Sequence, residues 1–342
     1  MKTAIILFNL GGPDGPAAVK PFLFNLFNDP AIIRLPQPLR WLVARLISGR
    51  RAPTAAKIYQ EMGGRSPILP NTEAQARALE AALGPDFRCF IAMRYWHPRA
   101  DAQVVNVKAW QPDRILLLPL YPQYSTTTTG SSVGEWRREA ARAGLDIPTV
   151  RLCCYPANAG FAAAVAGRVR VALGQLTAEK RPRVLFSAHG LPKKIVEAGD
   201  PYQRQVEQSV AAVLAELALP DLDWVICYQS RVGPMQWIGP STEAEVIRAG
   251  ADGVPLLVVP IAFVSEHSET LVELDIEYRE LAHQKRVPDY VRVATVDADQ
   301  RFIAGLAEEA LRALASGRSV CSAEGGRVCA PDRIGCPCGL EG

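Results

Sequence analysis

Short apolar runs alternate with helical patterns from one end of the chain to the other, and that alternation constrains the fold more than any other feature. The runs read TAIILFNL (3–10), FRCFIAMRY (87–95), RILLLPLY (114–121), TVRLCCY (149–155), RVLFSAHG (183–190), DWVICYQS (223–230) and VPLLVVPIAF (254–263), with a last one near YVRVATV (290–296). Unbroken Val/Ile/Leu runs suit parallel strands covered on both faces. Between them the pattern predicts helices over 15–28, 72–83, 99–110, 131–143, 158–174, 202–218, 241–250, 268–284 and 299–315. This is an α/β pattern with doubly wound parallel sheets.

The series runs twice. AIILFNLGGP matches RVLFSAHGLP, FIAMRYWHP matches VICYQSRVGP, and LLLPLYPQYS matches LLVVPIAFVSEH. The spacing between matches varies, so architecture repeats and sequence does not. Two similar lobes with a cleft between them follow: residues 1–155 and 156–316, the last helix packing back on the first lobe, then an extension at 317–342.

At 342 residues the chain suits about two domains. A net charge of +3 without basic-aromatic interleaving gives no reason to expect nucleic acid. The opening MKTAIILFNLGGPDG reads as a first strand and not a signal peptide. No apolar stretch reaches the ~20 residues of a membrane span. A cytoplasmic protein is expected, where disulfides are rare.

Two segments stand apart. Residues 30–51 mix Ile32, Ile33, Leu35, Leu39, Trp41, Leu42, Leu46 and Ile47 with five arginines. Such a basic amphipathic segment suits a membrane surface, or a helix packed on its own lobe with its arginines in water. The tail, VCSAEGGRVCAPDRIGCPCGLEG, has little to bury and no regular period. It orders only if cross-linked, and in the cytoplasm that points to zinc or an iron–sulfur cluster.

In open α/β sheets ligands bind beyond the carboxyl ends of the strands. Three of the four histidines fall there. His189 ends a strand and precedes Gly190, a place for a general base. From Glu266 the sequence EHSETLVELDIEYRE spaces Glu266, Glu269, Glu273, Glu277 and Glu280 by 3, 4, 4 and 3. On a helix this is one acidic stripe, unfavourable unless cations neutralise it. His267 and Glu269 head it. It reads as a divalent-metal track or as a solvated helix face. LYPQYSTTTTGSS puts hydroxyls before a helix N-terminus, where anions such as carboxylates or phosphates are favoured. Neither GxxxxGK nor GxGxxG is present.

Taken together, LFNLGGPDGPAAVKPFLFNLFNDP, YQEMGGRSPI, AMRYWHP, LYPQYSTTTTGSS, FSAHGLPKKIVEAGDPY, CYQSRVGPMQWIGPST and PIAFVSEHSETLVELDIEY resemble the ferrochelatases, which insert ferrous iron into a porphyrin in the last step of haem synthesis. The resemblance covers about 3–315. It implies two Rossmann-like lobes of the chelatase type with protoporphyrin IX between them and Fe2+ as the second substrate. It makes His189 the active-site histidine and Glu269 its partner carboxylate, with Glu273 and His267 on the iron path. Leu10, Tyr95, Trp237 and Phe263 would line the macrocycle, and Ser125 and Ser131 would lie near the propionates. Residues 30–51 match the family's apolar lip, which implies peripheral contact with membrane lipid at the inner face.

The tail resembles that of ferrochelatases carrying a [2Fe–2S] cluster, with ligands Cys329, Cys336 and Cys338 and a fourth from the body. That fourth would be Cys154 or Cys153. Neighbouring strand residues face opposite ways, so one alone should reach; Cys154 is favoured, and Cys321 is the alternative. A coproporphyrin III ferrochelatase, another tetrapyrrole chelatase and a non-enzymatic porphyrin- or cluster-binding protein are the competing readings. Oligomeric state is not legible.

Overall fold

The structure is a computed structural model and describes residues 1–178, 180–231, 235–323 and 325–339. Residues 232–234 of the CYQSRVGPMQWIGPST motif, Glu179, Glu324 and 340–342 lie outside the described residues.

Among the described residues nine strands form two parallel sheets. β1 (Thr3–Asn9), β2 (Phe87–Met93), β3 (Arg114–Pro119), β4 (Thr149–Leu152) and β9 (Val320–Cys321) lie in the order β2-β1-β3-β4-β9. β5 (Arg183–His189), β6 (Asp223–Gln229), β7 (Leu256–Pro260) and β8 (Tyr290–Arg292) lie in the order β6-β5-β7-β8. Every pairing is parallel. The four strands of the second sheet repeat the order of the first four, so the doubling read in the sequence is one of topology. In each sheet the first strand is central and its tip is flanked by the next: Asn9 pairs with Met93, and His189 with Gln229.

All seven residues of β1 are buried. This is why the apolar run is unbroken: helices cover both faces. One continuous core joins the sheets. Ile5, Leu7 and Leu116 of the first and Val184, Phe186 and Leu257 of the second belong to it, with Phe161 and Phe302 from helices. Truncating any one of these to Ala would cost about 2–5 kcal/mol.

The last long helix, Gln300–Ala315, packs on the helices Ala159–Leu173 and Ile68–Leu83, with Phe161 and Phe302 edge to face at 5.9 Å. Beyond it the tail returns to the first sheet. Arg151 N–H bonds the Ser319 carbonyl and Cys153 N–H the Cys321 carbonyl, both at 2.8 Å.

Two elements differ from the sequence reading. The stretch expected as a helix over 268–284 is a π-helix at Glu269–Glu277 followed by an α-helix at Tyr278–Gln284. π-Turns are rare and concentrate at functional sites. Residues 37–51 of the amphipathic segment lie in one 25-residue helix, Gln37–Glu61, which packs on the helix Val19–Phe27. It leaves Leu39, Leu42 and Leu46 more than half exposed, at 54%, 56% and 54%. Among the described residues no helix is long and apolar enough to cross a membrane.

Candidate active site

The centre of the candidate site is one carboxylate between two imidazoles. Glu269 Oε1 lies 3.6 Å from His189 Nε2, and Oε2 lies 3.8 Å from His267 Nε2. The two rings are held alike. His189 Nδ1 is 2.6 Å from the Gly190 carbonyl, and His267 Nδ1 is 3.1 Å from the Ser265 carbonyl. A carbonyl only accepts, so each Nδ1 carries hydrogen and each Nε2 is left facing Glu269. Both N···O distances exceed a hydrogen bond. The buried Oε2 has no hydrogen-bond partner among the described residues.

Burial alone would raise the Glu269 pKa. The charge of His189, followed by His267 and Ser230, outweighs it and holds the carboxyl at about 2. Glu273 goes the other way. Burial and the neighbouring Glu269 charge push it up, against bonds from Ser230. Ser230 gives Glu273 its N–H at 2.7 Å and its hydroxyl at 2.5 Å, and Tyr278 adds its hydroxyl at 3.1 Å. Gln229 Nε2 bonds the Glu269 carbonyl at 3.1 Å and lies 3.3 Å from Glu273 Oε2. Two adjacent carboxyls with oppositely shifted affinities can divide proton and cation binding between them.

The sequence stripe therefore comes apart. Only Glu269 and Glu273 face this centre. Glu266 pairs with Arg292 at 2.6 Å and accepts the Thr295 N–H at 2.9 Å. Glu277 and Glu280 are exposed.

Around the centre, Phe263 stacks obliquely on His267 at 4.7 Å. Trp237 packs against Gly190: a Cβ there would stand 3.2 Å from the indole and 2.8 Å from the Gln229 carbonyl, so glycine is required. The buried Trp237 Nε1 has no partner among the described residues. Leu10 is half-buried at the β1 tip, where Gly11 turns with φ +81°.

Tyr95, Ser125 and Ser131 are buried and bonded to the protein's own groups. Tyr95 is 1% exposed, and its hydroxyl bonds Asp29 at 2.8 Å. Ser131 bonds Asp29 at 2.5 Å and receives Arg94 Nε at 2.6 Å. Arg94 completes the knot with Asp29 at 2.9 Å and Glu135 at 3.2 Å. These residues hold the loop after the helix Val19–Phe27 and present no open surface to a ring. Ser125 is committed to Asp200 Oδ2 at 3.0 Å. The hydroxyl-rich turn does hold a carboxylate, as its chemistry predicts, but the carboxylate is the protein's own.

Sequence reasoning missed several residues. Tyr59, far along the helix Gln37–Glu61, comes close to Ser268 and Glu269, and burial pushes its hydroxyl up to about 12. Buried Gln75 joins the first half to the loop before His267, donating to the Val264 and Asp297 carbonyls at 3.1 Å and receiving the Ser265 hydroxyl at 3.2 Å. A lone buried amide carries no sequence signal beyond its position on an otherwise apolar helix face.

The thiols gather elsewhere, at the end of β4. Cys153 Sγ lies 3.1 Å from Cys154 Sγ and 3.3 Å from Cys338 Sγ. Cys329 and Cys338 stand close enough to Cys336 to hold its thiol below the ordinary thiol range. Gln205 Nε2 lies 3.3 Å from Cys154 Sγ and 3.2 Å from Cys329 Sγ. Five of the chain's eight cysteines thus meet. The alternation argument fails here because β4 ends at Leu152, so Cys153 and Cys154 are not strand residues and both reach inward. Cys321 is not part of the group; its thiol faces the Arg151 carbonyl at 3.7 Å. Among the described residues no three ligands stand at metal-holding spacing. The thiols are in mutual contact, nearer than the about 3.8 Å that two thiolates bound 2.3 Å from a tetrahedral metal would keep.

Comparison with known proteins places this arrangement. The family model described as Ferrochelatase matches residues 2–314. The ferrochelatase of Caulobacter vibrioides is 50% identical over 342 residues, 98% of this chain and 97% of that protein. The ferrochelatase of Phenylobacterium zucineum is 58% identical over 320 residues, 92% of each. Among solved structures, SirB from Bacillus subtilis with Fe3+ superposes with a TM-score of 0.56 at 12% identity, covering 92% of this chain and 97% of that one. The sirohydrochlorin chelatase SirB in complex with cobalt gives 0.53 at 13%, covering 92% and 95%. At such identity these two speak for the fold alone, a chelatase-like pair of parallel sheets. The match across nearly the whole chain is decisive: this chain belongs to the ferrochelatase family of metal chelatases.

Proposed function

We propose that this chain inserts Fe2+ into protoporphyrin IX to form protohaem, with His189 and Glu269 as the reacting pair. The observation that carries the reading is Glu269 held ionised between two imidazole Nε2 atoms. Two ligands each about 2.1 Å from one cation lie about 3–4 Å apart, depending on angle. The 3.6 Å between Glu269 and His189 suits a shared Fe2+ or a proton in transit.

Insertion needs a bent ring, two pyrrole protons removed and a desolvated metal. Leu10, Trp237 and Phe263 offer the partly open apolar surface against which a ring is held, and contacts remote from the nitrogens offset the cost of distortion. His189 Nε2 accepts a pyrrole proton. Glu269, charged and short of partners, takes the cation or the second proton. Glu273, pushed up, accepts a proton next and passes it toward the exposed Glu277. His267 keeps Glu269 oriented from behind. Tyr95, Ser125 and Ser131 support the walls from within.

We read residues 30–51 as a lip that rests on the inner face of a membrane in a cytoplasmic, peripheral enzyme. The exposed Leu39, Leu42 and Leu46 with adjacent arginines support it. The thiols at Cys329, Cys336 and Cys338, with Cys154 or Cys153 from the body, have the donor chemistry for a [2Fe–2S] cluster. Such a group supplies a one-electron couple and a cross-link between tail and body. The chain's own part is to bring tail thiols to the end of β4.

The test is anaerobic incubation of the pure protein with Fe2+ and either protoporphyrin IX or coproporphyrin III, followed by absorbance. Protohaem formation with the first is expected. Turnover of coproporphyrin III alone would move the substrate assignment, and turnover of neither would end the proposal. Iron and sulfide analysis reads the tail: about two irons per chain are expected, and one zinc would replace the cluster reading.

A further inference from the structure

The helix Tyr202–Leu217 places Gln205 in full burial, 1% exposed, beside the thiols. Its carboxamide oxygen accepts the Tyr124 backbone N–H at 2.6 Å. A backbone N–H can only donate, so the amide cannot be turned over, and its NH2 must face the other way. There it meets Cys154 Sγ at 3.3 Å and Cys329 Sγ at 3.2 Å. One hydrogen is available for each sulfur. One sulfur belongs to the body and the other to the tail.

We propose that Gln205 is the positioning donor of the thiol site: its two amide hydrogens stabilise thiolate charge on Cys154 and Cys329 and so set how firmly, and at what potential, the site holds its metal group. The inference rests on the reading of the thiols as a metal site and concerns a residue that ligates nothing. A thiol needs no donor, whereas a buried thiolate without one is costly. Hydrogen bonds to ligand sulfurs tune both affinity and potential. Gln205 is neutral, so it offsets the charge without adding a second cation. It also selects Cys154 over Cys153 as the body ligand, since Cys153 receives no such bond from it.

Gln205→Glu separates this role from packing. Its carboxylate still accepts from Tyr124 and keeps the shape, but it loses both hydrogens and sets negative charge on the two sulfurs. Gln205→Met removes both ends. The full-length protein is purified anaerobically and its metal released to a chelator, read by bleaching of iron–sulfur absorption or, for a colourless protein, by a zinc-binding dye. Midpoint potential is measured where a cluster is present. Gln205→Glu should release metal about tenfold faster than wild type, a factor equivalent to 1.4 kcal/mol, with Gln205→Met between them, and both should show a more negative potential. Wild-type rate and potential in Gln205→Glu would overturn the proposal. A defect in Gln205→Met alone would also overturn it, leaving only the Tyr124 bond. Zinc in place of iron would sink the cluster reading while the release rates still decide the role of Gln205. Wild-type protein that binds neither metal would sink both.

Discussion

Asp200 closes the turn around Thr126 from the other half of the chain. Its Oδ2 accepts the Thr126 N–H at 2.8 Å and hydroxyl at 2.7 Å, and its Oδ1 accepts the Tyr202 N–H at 3.0 Å. Tyr202 in turn donates its hydroxyl to the His189 carbonyl at 3.1 Å. A single buried carboxylate therefore ties the hydroxyl-rich turn of the first half to the segment that braces the active histidine.

Asp200→Asn replaces one acceptor oxygen with an NH2 that cannot serve the same donors. The variant should lose about 2–3 kcal/mol in urea denaturation, the range for buried donors left unpaired beside a lost charge. Thr126→Ala should lose about 1 kcal/mol. An unchanged midpoint for Asp200→Asn would show that the turn is held by something else.

Glu269→Gln should reduce turnover by at least about 10²-fold, the scale of a lost acid–base or charge-stabilising group. Glu280→Gln should change it less than about twofold, since Glu280 is exposed and accepts a bond from Gln284 on its own helix. Glu266→Gln should weaken the fold through Arg292 and spare kcat. Equal, small effects at 269 and 280 would return the acidic residues to a solvated face.

Acid should expose the depressed Glu269. Its folded pKa of about 2 lies below the 4.5 of a free carboxyl, so its contribution is present above 4.5 and is lost as pH falls toward 2. The difference in unfolding free energy between wild type and Glu269→Gln should shrink across that window. Glu273 carries the opposite sign: raised in the fold, it costs stability as pH rises past its unfolded value. Removing the Glu269 charge should let Glu273 titrate at lower pH, visible as a shifted carboxyl band in infrared difference spectra. No shift would separate the two groups.

Changing Leu39, Leu42 and Leu46 together to Ser should leave stability nearly unchanged, because these side chains already face outward. Sedimentation with anionic vesicles should fall by about tenfold or more, each leucine carrying about 1.5–3 kcal/mol of burial when fully inserted. Lost stability with full vesicle binding would make the segment ordinary packing.

The central strands and their tips were legible because a strand covered on both faces leaves an unbroken apolar run. His189 stood out as a polar residue at a strand tip, whereas Glu269 was set beside it by the family resemblance, since nothing in the acidic spacing singles it out. The π-turn was not, since a 3-4-4-3 spacing suits an α-helix equally well. The anion preference of the Ser125–Thr128 turn was legible, but that Asp200 satisfies it depends on contact between residues 74 and 75 positions apart. The reach of both Cys153 and Cys154 was hidden because the end of β4 falls one residue before them.

β9 gives the molecule an order of assembly. The outer edge of β4 receives its partner only at Val320–Cys321, after both sheets' other strands have been made. During synthesis the outer edge of β4 therefore waits unpaired while the second sheet, built wholly from residues between 183 and 292, already has all its strands. An open edge invites pairing with foreign strands. A nascent chain stalled or cut before residue 320 would thus be the aggregation-prone species, and its N-terminal half, though made first, would be the last to become a finished structure.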